Sequence, residues 1–108
     1  MSKYVVNFSQ AGNTVDGVTV VIDARNFDKT VTMMQNTGGS SLTVSIISRV
    51  LLGGVLTSQE VGATVLASMS TINYVSNDPV STVEISVSST TPGAPTSFLI
   101  ESLGRVGV

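Results

Sequence analysis

The chain has 108 residues, of which 42% are hydrophobic and only 11% charged, and it contains neither histidine nor cysteine. That length suits one hydrophobic core, so a single domain over residues 1–108 is expected, without the usual zinc or iron–sulfur ligands and without a histidine-based triad or general base. The 5 basic residues are scattered against 7 acidic ones for a net charge of -2, which provides no basic field for nucleic acid.

Along the chain, Tyr4, Val6 and Phe8 alternate with Val5, Asn7 and Ser9, the two-residue period of a strand. Tyr4, Phe8 and Phe98 are accordingly expected as core fillers. A turn at Asp16-Gly17 leads to a second strand with Val18, Val20 and Ile22 on one side. Residues 23–29 collect Asp23, Arg25, Asp28 and Lys29 around Asn26 and Phe27, a composition that belongs in a solvated loop. Thr30 to Gln35 resumes the apolar ladder with Val31 and Met33.

Asn36-Thr37-Gly38-Gly39-Ser40 is the strongest turn signal in the chain, and Leu42, Val44 and Ile46 follow it on a common face. Segments 30–35 and 41–48 are therefore predicted to form an antiparallel hairpin. Gly53-Gly54 suggests a turn or bulge. Between Thr57 and Thr71 the pattern is ambiguous. Thr57 and Glu60 fit a helix capping box, whereas Gly62, Thr64 and Val65 are poor helix formers and the stretch alternates, which favours a strand. Val83, Ile85 and Val87 alternate with Thr82, Glu84, Ser86 and Ser88 between Asn77-Asp78-Pro79 and the loop around Pro92-Gly93. The last strand, Ser97 to Leu103, sets Phe98 and Ile100 against Leu99 and Glu101. About seven to eight short strands without interleaved helical patterns predict an all-β fold, a single antiparallel β-sandwich of immunoglobulin-like or jelly-roll-like type.

No run approaches the ~18 apolar residues that span a bilayer; the longest weakly polar stretch, Ile46 to Leu56, is broken by Ser48, Arg49, Gly53 and Gly54. The opening MSKYVVNFSQ lacks the ~7–15-residue apolar segment of a signal peptide, so neither export by that route nor a membrane partner is expected.

Only carboxylates remain for catalysis or metal binding. Asp23, Asn26 and Asp28 offer oxygens suited to calcium, but without EF-hand spacing and diluted by Arg25 and Lys29. Glu84 and Glu101, if they lay on neighbouring strands, would match the pair a glycosidase needs at about 5–9 Å; with no Trp, two Tyr and three Phe, the walls of a sugar cleft are missing. Solvent-facing charges are the simpler reading in both cases. Asn7-Phe8-Ser9 fits the glycosylation pattern but lies within a predicted strand. No catalytic residue, metal site or cofactor is expected.

A surplus of apolar residues points elsewhere. Val5, Val21, Ile47 and Leu99 each fall opposite the main hydrophobic face of their strand, where a sandwich with solvated outer faces would not require them. They are the candidate interface for a protein partner, unless bulges change which side faces inward.

The runs Gln35-Asn36-Thr37-Gly38-Gly39-Ser40-Ser41-Leu42-Thr43-Val44-Ser45-Ile46 and Val83-Glu84-Ile85-Ser86-Val87-Ser88-Ser89-Thr90-Thr91 resemble the Ser/Thr/Val-rich β-sandwich subunits of bacteriophage virions, such as capsid decoration or cement proteins. The resemblance is one of style and size over most of the chain. It implies a structural, non-enzymatic virion subunit, assembled in the host cytoplasm, that forms a homo-oligomer (dimer or trimer) with itself and clamps neighbouring major capsid protein subunits. The ends, Met1 to Lys3 and Leu103 to Val108, would then be available for strand addition to a partner. The alternative is a module for carbohydrate or another cell-surface ligand carried by loops 23–29, 53–60 and 90–96.

Overall fold

The computed structural model describes residues 3–25, 27, 29–52, 55–76 and 82–106, and no helix occurs among them. Eight strands follow one another: β1 (Lys3–Asn13), β2 (Val18–Asp23), β3 (Thr30–Asn36), β4 (Leu42–Leu52), β5 (Val55–Leu66), β6 (Thr71–Ser76), β7 (Thr82–Ser89) and β8 (Ser97–Val106). They form two four-stranded sheets, β1-β8-β3-β6 (sheet I) and β2-β7-β4-β5 (sheet II), antiparallel throughout. Among consecutive strands only β4 and β5 pair; every other connection crosses between sheets. Pairing β1 with β8, β2 with β7, β3 with β6 and β4 with β5 wraps one long hairpin on itself, the jelly-roll arrangement.

Alternation builds the core where one face of a strand is apolar. Sheet II contributes Ile22, Leu42, Val44, Ile46, Val83 and Ile85, and sheet I contributes Met34, Phe98 and Ile100, all buried. At one end of the core the Phe27 ring lies over Gly104, where any Cβ would collide with it. This close approach explains a glycine within a strand that is paired on both sides.

The expected hairpin of 30–35 with 41–48 does not form, because β3 lies in sheet I and β4 in sheet II. The intervening residues cross the end of the sandwich, held by Asn36, which is 0% exposed. Its amide donates to the carbonyls of Ser40 (2.7 Å) and Leu66 (3.0 Å). Its Oδ1 accepts from the Gly38 N–H (3.1 Å) and the Thr96 hydroxyl (2.9 Å). Gly38 is needed here, since a Cβ would meet the Thr96 side chain and lie 2.6 Å from the Ser97 nitrogen. What reads as a tight turn in sequence is a polar hub between the sheets.

Between Thr57 and Thr71 the strand reading holds. β5 runs to Leu66, the Ser70 N–H reaches the Ala67 carbonyl (3.1 Å), Met69 takes a positive φ of 63°, and β6 begins at Thr71. The Asp16-Gly17 turn also forms, with Gly17 at φ 71°. The turns expected at Gly53-Gly54 and Asn77-Asp78-Pro79 fall outside the described residues. The C-terminal stretch is not a free end: Leu103 to Val106 belong to β8, between β1 and β3. Removing residues 104–108 would strip hydrogen bonds from two neighbours rather than leave the fold intact.

Two strands turn the opposite side inward from the one their sequence suggests. In β1 a register shift between Val6 and Phe8 inserts a bulge, which flips the alternation. Val5 therefore pairs with inward-facing Gly104 and Phe8 with inward-facing Ser102, while Tyr4 and Val6 share the outer face with Arg105 and Leu103. Phe98 and Phe8 do pack in or against the core, but Tyr4 is exposed. In β3 the buried residues are Thr30, Thr32, Met34 and Asn36, so Val31 and Met33 look outward.

Candidate interaction surface

Residues opposite one another in an antiparallel pair project to the same face, so the register maps each outer surface in rows. On sheet I one row is entirely apolar and crosses all four strands: Val6 on β1, Leu103 on β8, Val31 on β3 and Val75 on β6. Val6 is 63% and Val75 48% exposed, and Val31 and Leu103 between them are half-buried. Tyr4 and Met33 adjoin this row. On β8 the outer face carries Glu101 two residues before Leu103 and Arg105 two residues after it, and the Arg105 N–H donates to the Lys29 carbonyl (3.0 Å).

The side of sheet I facing away from this surface is unusually polar. Thr32 and Ser102 share a buried hydrogen bond of 3.2 Å, and Ser48 of sheet II is tied across the interior to Tyr74 of sheet I at 2.7 Å. The buried hydroxyl of Thr30 has no hydrogen-bond partner. Around the row, sheet I thus buries small hydroxyls and exposes branched aliphatics, against the usual antiparallel rule, while Met34, Phe98 and Ile100 of the same sheet remain in the core.

Sheet II follows the rule. Its outer face presents Thr19, Ser86, Thr43, Ser45 and Ser88, with Thr19 bonded to Ser86 (3.2 Å) and Thr43 to Thr90 (2.9 Å). A shallow depression of about 470 Å³ is lined by these hydroxyls with Asp16, Gly17 and Ala63. Three apolar residues stand out, Val21, Ile47 and Val65; Glu84 on β7 is opposite Val21 and Ile47 and so separates them, and Val65 stands opposite Thr43 on the edge strand β5. Arg49 donates to Glu84 at 2.8 Å.

The four residues singled out in sequence are therefore divided. Val21 and Ile47 lie on the outer face of sheet II, Leu99 lies on that of sheet I opposite Ala11 and Gln35, and Val5 turns inward at the sheet edge. The contiguous row of Val6, Val31, Leu103 and Val75 was not anticipated. Its signal is hidden because Val6 and Val31 sit on what their own strands present as the main hydrophobic side.

Other candidates are not assembled. Glu84 and Glu101 sit on the outer faces of opposite sheets, so they do not make a facing pair. Asp23 is engaged by Arg25 through two side-chain contacts of 3.0 and 2.8 Å and one backbone N–H at 3.1 Å. These hold its carboxyl below the ordinary value, the Arg25 side-chain hydrogen bonds being the largest cause. Asn26 and Asp28 fall outside the described residues, and among the described residues no group of three or more His, Cys, Asp or Glu is placed to hold a metal. The Asn7 side-chain amide donates to the Asp23 carbonyl at 2.9 Å. The loops proposed for a sugar do not converge: Ala24, Arg25, Phe27 and Lys29 are at the opposite end of the sandwich from residues 90–96, and 55–60 lie within β5.

No family model and no curated protein sequence matches the chain. Solved structures do match it in shape. An SPBc2 prophage-derived protein, YomS, aligns with a TM-score of 0.56 at 10% identity, covering 98% of this chain and 94% of that one. The Yersinia pseudotuberculosis-derived mitogen aligns at 0.54 and 8% identity, covering 94% and 86%. The T13 viral particle of IBDV contains a protein that aligns at 0.50 and 14% identity; 97% of this chain matches 30% of that longer one. At such identities the likeness is one of fold, and a prophage protein and a viral particle are both among those sharing it.

Proposed function

We propose that this chain is a non-enzymatic structural subunit that docks against protein through the outer face of sheet I, serving as an accessory subunit of the decoration or cement type on a virion. The observation carrying this reading is the uninterrupted apolar row of Val6, Leu103, Val31 and Val75 on a face that would otherwise be solvated. Each such side chain contributes ~1.5–3 kcal/mol when its full burial is completed. Half-buried residues gain less, so the row with Tyr4 and Met33 supports a contact that is specific without being obligate. The prophage and viral-particle likenesses in fold fit this setting. The hydroxyl-rich face of sheet II, which carries the Arg49–Glu84 pair, would remain toward solvent.

The test is to purify virions from cells that encode the chain and to follow it through density-gradient sedimentation. Wild-type protein is expected in the particle band, and Val31→Asp in the free fraction. Wild-type protein found wholly in the free fraction would overturn the proposal, as would unchanged incorporation of Val31→Asp.

A further inference from the structure

We infer that β6 is a docking edge whose occupant is the β6 of a second copy of this chain, added antiparallel about a two-fold axis at Asn73. The inference goes beyond the proposed function, because it concerns the rim of sheet I and leaves its outer face free. An edge strand presents unpaired backbone groups that template further pairing unless a bulge, a charge, a proline or a covering contact blunts it. Among the described residues, three of the four edges of the sandwich are blunted in this way. β1 carries the bulge between Val6 and Phe8. β2 ends at Asp23, whose carbonyl already accepts from the Asn7 side chain at 2.9 Å. β5 has a register shift against β4 between Val44 and Ile46, and beside it the Gly62 carbonyl accepts from Thr64 Oγ1 at 3.0 Å. β6 has none of these devices. Thr71-Ile72-Asn73-Tyr74-Val75-Ser76 contains no charge, glycine or proline, and its register with β3 runs without a shift.

The hydrogen-bond phase shows which groups lie along that edge. The Asn36 N–H donates to the Ser70 carbonyl (2.9 Å), and the Thr37 N–H donates to the Ser97 carbonyl on the other side (2.9 Å). Antiparallel alternation then directs the backbone groups of Ile72 and Tyr74 to β3, and those of Thr71, Asn73 and Val75 away from it. These three positions are symmetric about Asn73. A second β6 running the other way sets Asn73 against Asn73 and Thr71 against Val75 twice, so that each edge-facing group of the segment gains a partner. The residue at the axis is a carboxamide, which has both donors and an acceptor and is therefore complementary to its own copy; a charged residue there would repel its copy. Ile72 and Tyr74 stay packed against the core, so the pairing requires no side chain to leave it. The axis is perpendicular to the sheet, and both outer faces of the dimer look the same way, with their apolar rows offset by about 13 Å along the strands. One dimer would present the docking row twice to a particle, which is how a face of modest affinity gains avidity.

A contact confined to residues 71–75 is small beside the ~1,200–2,000 Å² of a standard interface, so the dimer is expected only at high protein concentration. Analytical ultracentrifugation of the full chain, carried to millimolar concentration, should show a monomer–dimer equilibrium. Asn73→Lys and Asn73→Glu should each raise the dissociation constant about fivefold or more by setting like charges together at the axis, and an equimolar mixture of the two should associate at least as tightly as the unsubstituted chain. Circular dichroism confirms that each variant is folded. Amide hydrogen exchange of the unsubstituted chain gives a readout free of any substitution: protection of the Thr71, Asn73 and Val75 N–H groups should rise with concentration, while protection along the edge strand β2 should stay constant. A chain that is monomeric at millimolar concentration, a dimer whose Asn73 N–H gains no protection, or a mixture of folded variants that associates no better than either alone would overturn the inference. A monomer that still enters virions in a Val31-dependent way would overturn the pairing while leaving the proposed function in place. A β6-paired dimer absent from virions would support the pairing and overturn the virion role.

Discussion

Sheet II turns Thr19, Thr43, Ser45 and Ser86 outward and keeps Val20, Val44 and Ile85 within, whereas sheet I turns Val31 and Leu103 outward and keeps Thr30, Thr32 and Ser102 within. Both sheets alternate with the same two-residue period, and both supply one side of a common core. What differs is the anchor of the register. In sheet II the inward positions Val83, Ile85 and Val87 of β7 are apolar and only Ser89 at the strand's end is not, so hydrophobicity decides the face. In β3 the inward set includes Met34 but also Asn36, which sits opposite Phe98 and is bound by four hydrogen bonds. Sliding β3 by one residue would bury Val31 and Met33 but would expose Met34 and break the hub.

This comparison is broken most forcefully at the hub. Asn36→Ala should cost about 3 kcal/mol, because it leaves buried carbonyls and donors of several segments without partners. Urea unfolding measures it, and a loss below about 1 kcal/mol would mean that the register is held elsewhere. The next largest effect compares the two outer faces directly. Val31→Asp should lower incorporation into particles about tenfold or more, while Val21→Asp, at a site 59% exposed on sheet II, should leave it unchanged. Equal effects in sedimentation would deny the faces their different roles.

The interior of sheet I offers a gain instead. Thr30→Val replaces a buried hydroxyl lacking a partner with a methyl group of similar volume, and should stabilise the fold by about 1 kcal/mol. A loss on thermal or urea unfolding would show that the hydroxyl is satisfied. The smallest effect belongs to the charges at the edge of sheet II. Arg25→Ala should raise the Asp23 pKa toward its ordinary value, followed by NMR titration of the carboxyl. Because the folded-state value is the lower one, the pair's contribution is present above the ordinary carboxylate range and fades as pH falls through the lowered value. Both side chains are largely exposed, so the change in stability should be slight. An unmoved titration would mean that the pair does not form in solution.

Much of the sandwich is legible in the sequence because β2, β4, β7 and β8 keep their apolar residues in step with their buried sides. The all-β class and the strand at Thr57 to Leu66 follow from that pattern. The hairpin expectation fails because Asn-Thr-Gly-Gly-Ser has the composition of a turn, while the partners of Asn36 at Leu66 and Thr96 are distant in sequence. The interface fails for a related reason. Whether Val6 faces out depends on an extra residue in β1, and whether Val31 faces out depends on the hub. Of the apolar residues flagged at the outset, only Leu99 falls on the face that carries the row.

The pairing order also governs how this chain reaches its native state. Apart from β4 with β5, no strand finds a sheet neighbour adjacent in sequence, and Lys3 must wait for Val106. Loop closure over such distances precedes any reward in contacts, so folding should occupy milliseconds to seconds rather than microseconds. During synthesis the β4–β5 hairpin is the earliest pair available, and β1 emerges first yet is closed last. Until β8 arrives, the alternating Tyr4-Val5-Val6 segment lacks its native partner, which makes the nascent chain most vulnerable to mispairing just before completion.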